Sequence, residues 1–204
     1  MAQDRATVFT IGHSNHSSDH FLALLQGAGI TAVADVRSIP QSRRWPHFSR
    51  ARIERWLADG GIAYVFLGAE LGGRPADPAL IRDGRPDYDL MTAAPSFQAG
   101  LERVLEGAGR YRMALMCAER EPLDCHRFLL VSRRLYERGA QLCHILADGS
   151  TEPHESTETR LLQQTGLAVD ALFADLLPPR HAVDRAYDIR SGRLGRGRQL
   201  IGPA

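Results

Sequence analysis

Five residues able to do chemistry crowd into a span of eleven: Cys117, Glu119, Cys125, His126 and Arg127. A deprotonated thiol is a nucleophile or a metal ligand, a carboxylate or imidazole moves protons, and a guanidinium holds an anion. Cys117 follows the apolar run Arg112 to Met116, so it stands at the carboxyl end of a strand. Cys125, His126 and Arg127 fall in the first turns of a helix that Pro122 opens. Free N–H groups and the macrodipole at a helix start favour a thiolate. Cys117 or Cys125 is therefore the candidate thiolate, Glu119 an acid/base, His126 a proton carrier and Arg127 an anion clamp. The plain alternative is packing, since a lone cysteine is commonly a small buried hydrophobe. The gathering of polar neighbours at one strand-to-helix turn argues for function.

Spacing removes several chemistries. A phosphatase-type loop needs an Arg closer to its Cys and glycines that expose backbone donors; here Arg127 comes ten positions after Cys117 and no Gly intervenes. Redox and haem-attachment motifs put two residues between their cysteines, whereas seven separate Cys117 from Cys125. A metal- or redox-responsive centre from Cys117, Cys125 and His126 stays open as an alternative. Against a zinc site stand two objections: neighbours on a helix point about 100° apart, and no fourth ligand is identified. No metal ligand is therefore assigned, and no cofactor is named. A Cys117–Cys125 disulfide is conceivable across such a turn, but spacing does not place the two sulfurs.

Other candidates sit where further strands should end. Gly12-His13-Ser14 follows the run Thr7 to Ile11. Gly allows a tight turn, while His13 is a proton carrier and Ser14 a ligand-binding hydroxyl; ordinary turn chemistry is the alternative. Asp35 and Arg37 close the run Thr31 to Val36, either as acid/base and anion clamp or as a structural ion pair. The segment from Arg37 to Arg55 holds six Arg and one Glu, with Trp45 and Phe48 among them and Trp56 next to it. Arg interleaved with aromatics suits a nucleotide or single-stranded nucleic acid, so Trp45 and Phe48 are candidate stacking groups and Trp56 a core residue. Tyr64 belongs to the next strand and could wall the same cleft. Cys143 and His144 read as strand-interior core residues, while Asp19, His20, His154 and His181 read as exposed.

These positions need a scaffold, and the rest of the chain describes one. Apolar β-branched runs alternate with helical stripes: Phe21, Leu24 and Leu25 after a cap at Ser18; Ile53 and Leu57; Phe97, Leu101 and Val104; Phe128, Leu129, Val131 and Leu135. Strands fall near 7–11, 31–36, 62–67, 112–117 and 141–147. The order predicts an α/β domain over 1–179, with a mostly parallel central sheet of about five strands flanked by helices. A Gly- and Pro-rich surface excursion spans 68–95, and a helical stretch broken at Gly166 spans 161–177. Residues 180–204 form an Arg-rich tail with a net charge of +4 and almost no apolar periodicity. Ligands of parallel sheets bind beyond the carboxyl ends of the strands, which is where the candidates lie.

Composition fits one globular chain of 204 residues and excludes some mechanisms. There is no Lys, so all 25 positive charges are Arg, and a P-loop or Schiff-base lysine is impossible. A net charge of +1 argues for no class of partner by itself. No run suits a membrane span or a signal peptide, and three cysteines suit a reducing cytoplasm.

Taken together, Thr10-Ile-Gly-His-Ser14, Asp35-Val-Arg-Ser-Ile-Pro40, Tyr64 with Leu67 and Leu71-Gly-Gly73, and Cys117-Ala-Glu119 through Cys125-His-Arg127 resemble the domain-of-unknown-function family 488 (DUF488), over about residues 7–150. The resemblance implies that His13, Ser14, Asp35, Arg37, Pro40, Cys117, Glu119, Cys125, His126 and Arg127 share one site, and it names no reaction. The expectation is an enzyme acting on a nucleotide, nucleic acid or other anionic substrate. A single-stranded nucleic-acid-binding module is one alternative, and the metal- or redox-responsive protein is the other.

Overall fold

The computed structural model describes residues 7–168 and 179–194. The chain divides into two compact units, Met1–Pro153 and His154–Ala204. The first opens with β1 (Thr7–Gly12), α1 (Ser18–Gly27) and β2 (Ala32–Asp35), then α2 (Arg50–Asp59), β3 (Ala63–Phe66) and α3 (Gly68–Leu71). A short hairpin of β4 (Ile81–Arg82) and β5 (Arg85–Pro86) precedes α4 (Tyr88–Ala93) and α5 (Pro95–Ala108). β6 (Met113–Cys117), α6 (Arg133–Glu137), β7 (Gln141–Ile145) and β8 (Thr151–Pro153) complete it.

The main sheet runs β3-β2-β6-β1-β7-β8. Its first five strands are parallel, as the alternating pattern predicts, and β8 adds a sixth, antiparallel to β7, at one edge. Because successive side chains point to opposite faces, each buried strand feeds two cores. Val8, Met113, Leu115, Cys117 and Leu142 pack with Phe97, Leu101 and Val104 of α5 and with Leu130 and Leu135. Phe9, Ile11, Val33, Ala114 and Met116 pack on the other face with Phe21 and Leu25 of α1 and Ile53 and Leu57 of α2. Each such fully buried leucine or phenylalanine contributes roughly 1.5–3 kcal/mol through removal from water.

Several local readings shift. Ser17, not Ser18, caps α1: its hydroxyl accepts the His20 N–H at 3.2 Å. The excursion from 68 to 95 is more structured than its Gly and Pro content suggests, because Leu71 and Met91 bury themselves in the first core and pin it down. The helix expected to open at Pro122 is interrupted. Pro122–Asp124 form a 3-10 turn, Cys125 is extended (φ −130°, ψ 139°), and Arg127–Ser132 form a π-helical turn that leads into α6. Single π turns recur at functional sites.

In the second unit, α7 (His154–Thr165) ends at Gly166, which takes φ +72°. Much of the expected stretch 161–177 lies outside the described residues. Part of the Arg-rich tail is helical, α8 (Pro179–Leu194), and the residues after it lie outside the described set. His154, expected at the surface, is fully buried, because its Nε2 meets the buried Tyr187 hydroxyl at 3.1 Å. Among the described residues no helix is long and apolar enough to cross a membrane.

Candidate metal centre

β6 lies between β2 and β1, so its carboxyl end is flanked by theirs. Gly12 pairs with Cys117 and Asp35 with Met116 in the sheet register. Beyond the ladder, the His13 N–H donates to the Cys117 carbonyl (2.8 Å) and the Val36 N–H to the Met116 carbonyl (3.0 Å). The chain after Cys117 then folds back across β1. A Cβ on Gly12 would stand 1.9 Å from the Glu119 carbonyl oxygen, so only glycine admits this crossing.

Arg127 locks that loop from beneath. Fully buried, it donates through Nη1 to the Glu119 carbonyl (2.6 Å) and through Nη2 to the Arg120 carbonyl (3.0 Å), while its Nε has no partner among the described residues. The structure thus gives this expected anion clamp a backbone-holding position. The lock aims the loop's side chains at the chain after Asp124. Glu119 Oε2 lies 3.0 Å from Cys117 Sγ and 3.0 Å from Cys125 Sγ, within hydrogen-bond reach of both sulfurs. His126 Nδ1 lies 3.5 Å from Cys117 Sγ and 3.9 Å from Cys125 Sγ. One donor atom from each of Cys117, Glu119, Cys125 and His126 falls within 4.8 Å of the others; among the described residues it is the one group of its kind.

The imidazole is held in one orientation. Its Nε2 meets the Val36 carbonyl at 2.9 Å. A carbonyl only accepts, so Nε2 carries the proton and Nδ1 of the neutral ring turns a lone pair to the sulfurs. Such a second hydrogen bond is how metal-bound histidines are oriented. Gly73 backs the ring, since a Cβ there would stand 2.6 Å from its Cγ. The turn after α3 therefore exists in part to make room for His126.

Both objections to a zinc site meet a structural answer. Cys125 is extended rather than helical, so the angle between helical neighbours does not apply to it and His126. Glu119 supplies a fourth donor atom. A tetrahedral zinc with Zn–S of about 2.3 Å and Zn–N of about 2.05 Å separates sulfur from nitrogen by about 3.6 Å. The observed 3.5 and 3.9 Å straddle that edge.

Protonation follows from burial and neighbours. Burial, the strongest influence, pushes the Cys117 thiol well above its ordinary value, with Cys125 and Glu119 adding to it. Burial works the same way on Cys125, yet the net direction there is well down. The Cys117 thiol, the Arg127 guanidinium and His126 all stabilise its thiolate, and Cys125 Sγ also accepts the Arg127 N–H at 3.4 Å. Burial pulls His126 down, but Cys125 and Glu119 more than offset it and leave the imidazole raised. Glu119 is raised by burial of its inward carboxylate and by Cys125, although the residue as a whole is solvent-exposed.

The chain carries the model for the domain of unknown function DUF488 over residues 17–133. It belongs to the DUF488 family. The matched span takes in the four clustered residues, Asp35 and Arg37, and stops short of β1 and β7 at either side. No curated protein and no solved structure matches the chain.

The remaining candidates of this DUF488 member gather beside the cluster as a second network. Asp35 is fully buried and accepts from Arg37 Nε (2.9 Å), Arg37 Nη2 (2.6 Å) and the Tyr64 hydroxyl (2.8 Å). Arg37 also donates to the Phe48 carbonyl (2.9 Å), and its Nη1 faces His13 Nε2 at 3.3 Å. His13 is buried and stacks on Phe48 with ring centres 4.3 Å apart. Phe48 is itself fully buried and offers no face to a base, whereas Trp45 is half-buried with the Arg44 guanidinium 5.6 Å from its ring centre. Ser14 takes φ 46° and its hydroxyl accepts from Arg120 Nε at 3.3 Å. Trp56 is half-buried, donating to the His47 carbonyl (2.9 Å). His144 is core, bonded to the Thr10 hydroxyl (2.8 Å), while Cys143 is half-buried. Tyr88 of α4, which sequence reasoning missed, packs against the core that holds both cysteines and feels the charge of Cys125, Cys117 and Glu119. Nothing in its local sequence marks it; only the folding of the excursion brings it there.

Proposed function

We propose that this protein binds one zinc ion through Cys117, Cys125 and His126, with Glu119 at the fourth position. The observation that carries the reading is the convergence of two sulfurs, a carboxylate oxygen and a correctly tautomerised imidazole nitrogen within 4.8 Å of one another. Two thiolates and an imidazole are the donor set that zinc prefers over hard, oxygen-seeking cations. Bound zinc supplies Lewis acidity and can bring the pKa of a water ligand to about 7. The chain's own groups orient the donors: Arg127 fixes the loop carrying Glu119, Val36 fixes the His126 ring, and Gly73 leaves it space. An anionic substrate fits the exposed Arg43 and Arg44 of the segment between β2 and α2, and the exposed Arg52 and Arg55 of α2.

Metal analysis of protein prepared without chelator tests this. The expected result is one zinc per chain, lost in Cys117→Ser, Cys125→Ser and His126→Gln while far-UV circular dichroism is retained. Metal-free protein that takes up no zinc at micromolar concentration, with both thiols still free to titrate, overturns it.

A second reading rests on the lowered Cys125 thiol and its partners Arg127 and His126. In it Cys125 acts without metal as a nucleophile towards an electrophile, with His126 carrying the proton. Selective alkylation of Cys125 at neutral pH in metal-free protein, unaffected by added zinc, supports this reading. Protection by zinc removes it.

A further inference from the structure

The four donors are unequal. Cys117 and Cys125 are buried and His126 is half-buried, but Glu119 is exposed. Sulfur-to-nitrogen distances already match a tetrahedral edge. By the same construction, sulfur and oxygen should lie about 3.5 Å apart around zinc. The two Glu119 distances are 3.0 Å, which suits a hydrogen bond between sulfur and carboxyl group at each contact. To become a ligand, the carboxylate of this exposed residue must move outward by about half an ångström. The edges from His126 Nδ1 to the two sulfurs need no such move.

Charge points the same way. A divalent ion with two thiolates and a neutral imidazole is formally neutral. Arg127 gives its donors to carbonyls, and Arg120, next to Glu119 in sequence, gives its own to Ser14 and to Asn15 Oδ1 (2.8 Å). Among the described residues neither cation forms an ion pair. Negative charge at the fourth position is therefore favoured, and Glu119 is one of several anions able to supply it.

Building on the zinc reading, we propose that the centre is open: three ligands, Cys117, Cys125 and His126, hold the ion, and Glu119 yields the fourth position to an anionic oxygen or nitrogen ligand. This is the pattern of catalytic rather than structural zinc, in which three protein groups bind and one place exchanges. The class of substrate follows: a molecule presenting an anionic or strongly polarised oxygen to the metal. Tyr88 packs against the core that holds both cysteines and feels their charge.

Cobalt substitution makes the fourth position visible, with azide as the probe. Wild-type protein loaded with Co²⁺ should show thiolate-to-cobalt charge transfer, and azide should change its visible bands saturably. Glu119→Ala should bind azide at least 10-fold tighter, because no carboxylate needs displacing. Glu119→Cys, which closes the site with a third thiolate, should abolish the response while keeping cobalt. An azide-insensitive spectrum in both wild type and Glu119→Ala, with charge transfer intact, overturns the open site and leaves the zinc reading standing. Absence of any cobalt uptake removes both.

Discussion

His13 should make this protein acid-labile well above the pH at which its carboxylates protonate. The ring is buried and wedged between Phe48 and Arg37. Its Nδ1 lies 3.0 Å from the Ser14 carbonyl, which can only accept, so the proton sits on Nδ1 and Nε2 is the acceptor for Arg37 Nη1. A second proton would have to go on Nε2, without water and facing a guanidinium. Burial, and after it the Arg37 charge, accordingly lower the His13 pKa from 6.5 to about 4.

The sign follows from linkage. Above pH 6.5 the ring is neutral in both folded and unfolded chains, and His13 contributes nothing to the pH dependence. As pH falls from 6.5 towards 4, the unfolded chain takes up a proton that the folded one refuses, so stability drops; below about 4 both are protonated and the loss is complete. The full loss is about 3 kcal/mol, of which about 2 kcal/mol is reached by pH 5. The assay is urea denaturation at pH 7, 6 and 5, followed by tryptophan fluorescence. Trp45 and Trp56 pack against the core that contains Phe48, so they report on the right region. Wild type should lose about 2 kcal/mol more than His13→Gln between pH 7 and pH 5, since the amide does not titrate. Parallel losses in the two proteins would refute the reasoning, as would an NMR titration placing His13 near 6.5.

Three substitutions test the supports around the cluster. Asp35→Ala strands the buried Arg37 guanidinium and the Tyr64 hydroxyl, and should cost about 3–5 kcal/mol in urea denaturation; a loss below 1 kcal/mol would mean that water reaches Arg37 and this network is not closed. Gly12→Ala drives a methyl into the Glu119 backbone and should cost at least about 1–3 kcal/mol, measured by the same assay; wild-type stability would show that the crossing loop is free to lift. Gly73→Ala presses on His126 Cγ and should weaken zinc binding by about 10–100-fold in a chelator competition, with little change in far-UV circular dichroism; unchanged affinity would dismiss the backing role of the turn.

The scaffold was legible because it is written in long-period patterns. The five parallel strands come from apolar runs that must be buried on both faces, and α1, α2 and α5 from stripes at helical spacing. β8 was invisible, since Thr151–Pro153 is three residues with no alternation and a proline, tolerable only at a sheet edge. His154 was misread for a related reason: its burial depends on Tyr187, 33 positions away, and no local pattern encodes that pairing.

The candidate site splits along the same line. That the strand ends carry the polar residues followed from topology; what each one does there depends on short-range backbone geometry. A continuous helix from Pro122 would have turned Cys125 and His126 in different directions, and on that assumption a metal was unattractive. The chain instead spends Pro122 on a 3-10 turn, extends Cys125, and restarts as a π-helical turn. The restart is capped by sulfur: the Cys125 carbonyl accepts the Phe128 and Leu129 N–H groups, and its Sγ accepts that of Arg127. This one break brings Cys125 Sγ onto the same Glu119 oxygen that Cys117 reaches, and lets His126 span from Val36 to both sulfurs. Two arginines that look like anion clamps in sequence are likewise occupied. Arg37 neutralises a buried Asp35, and Arg127 holds the two carbonyls that keep Glu119 in place. The charge of Arg127 is therefore structural in its hydrogen bonds and electrostatic in its effect: it holds the loop and, at the same time, favours a thiolate over a thiol at Cys125.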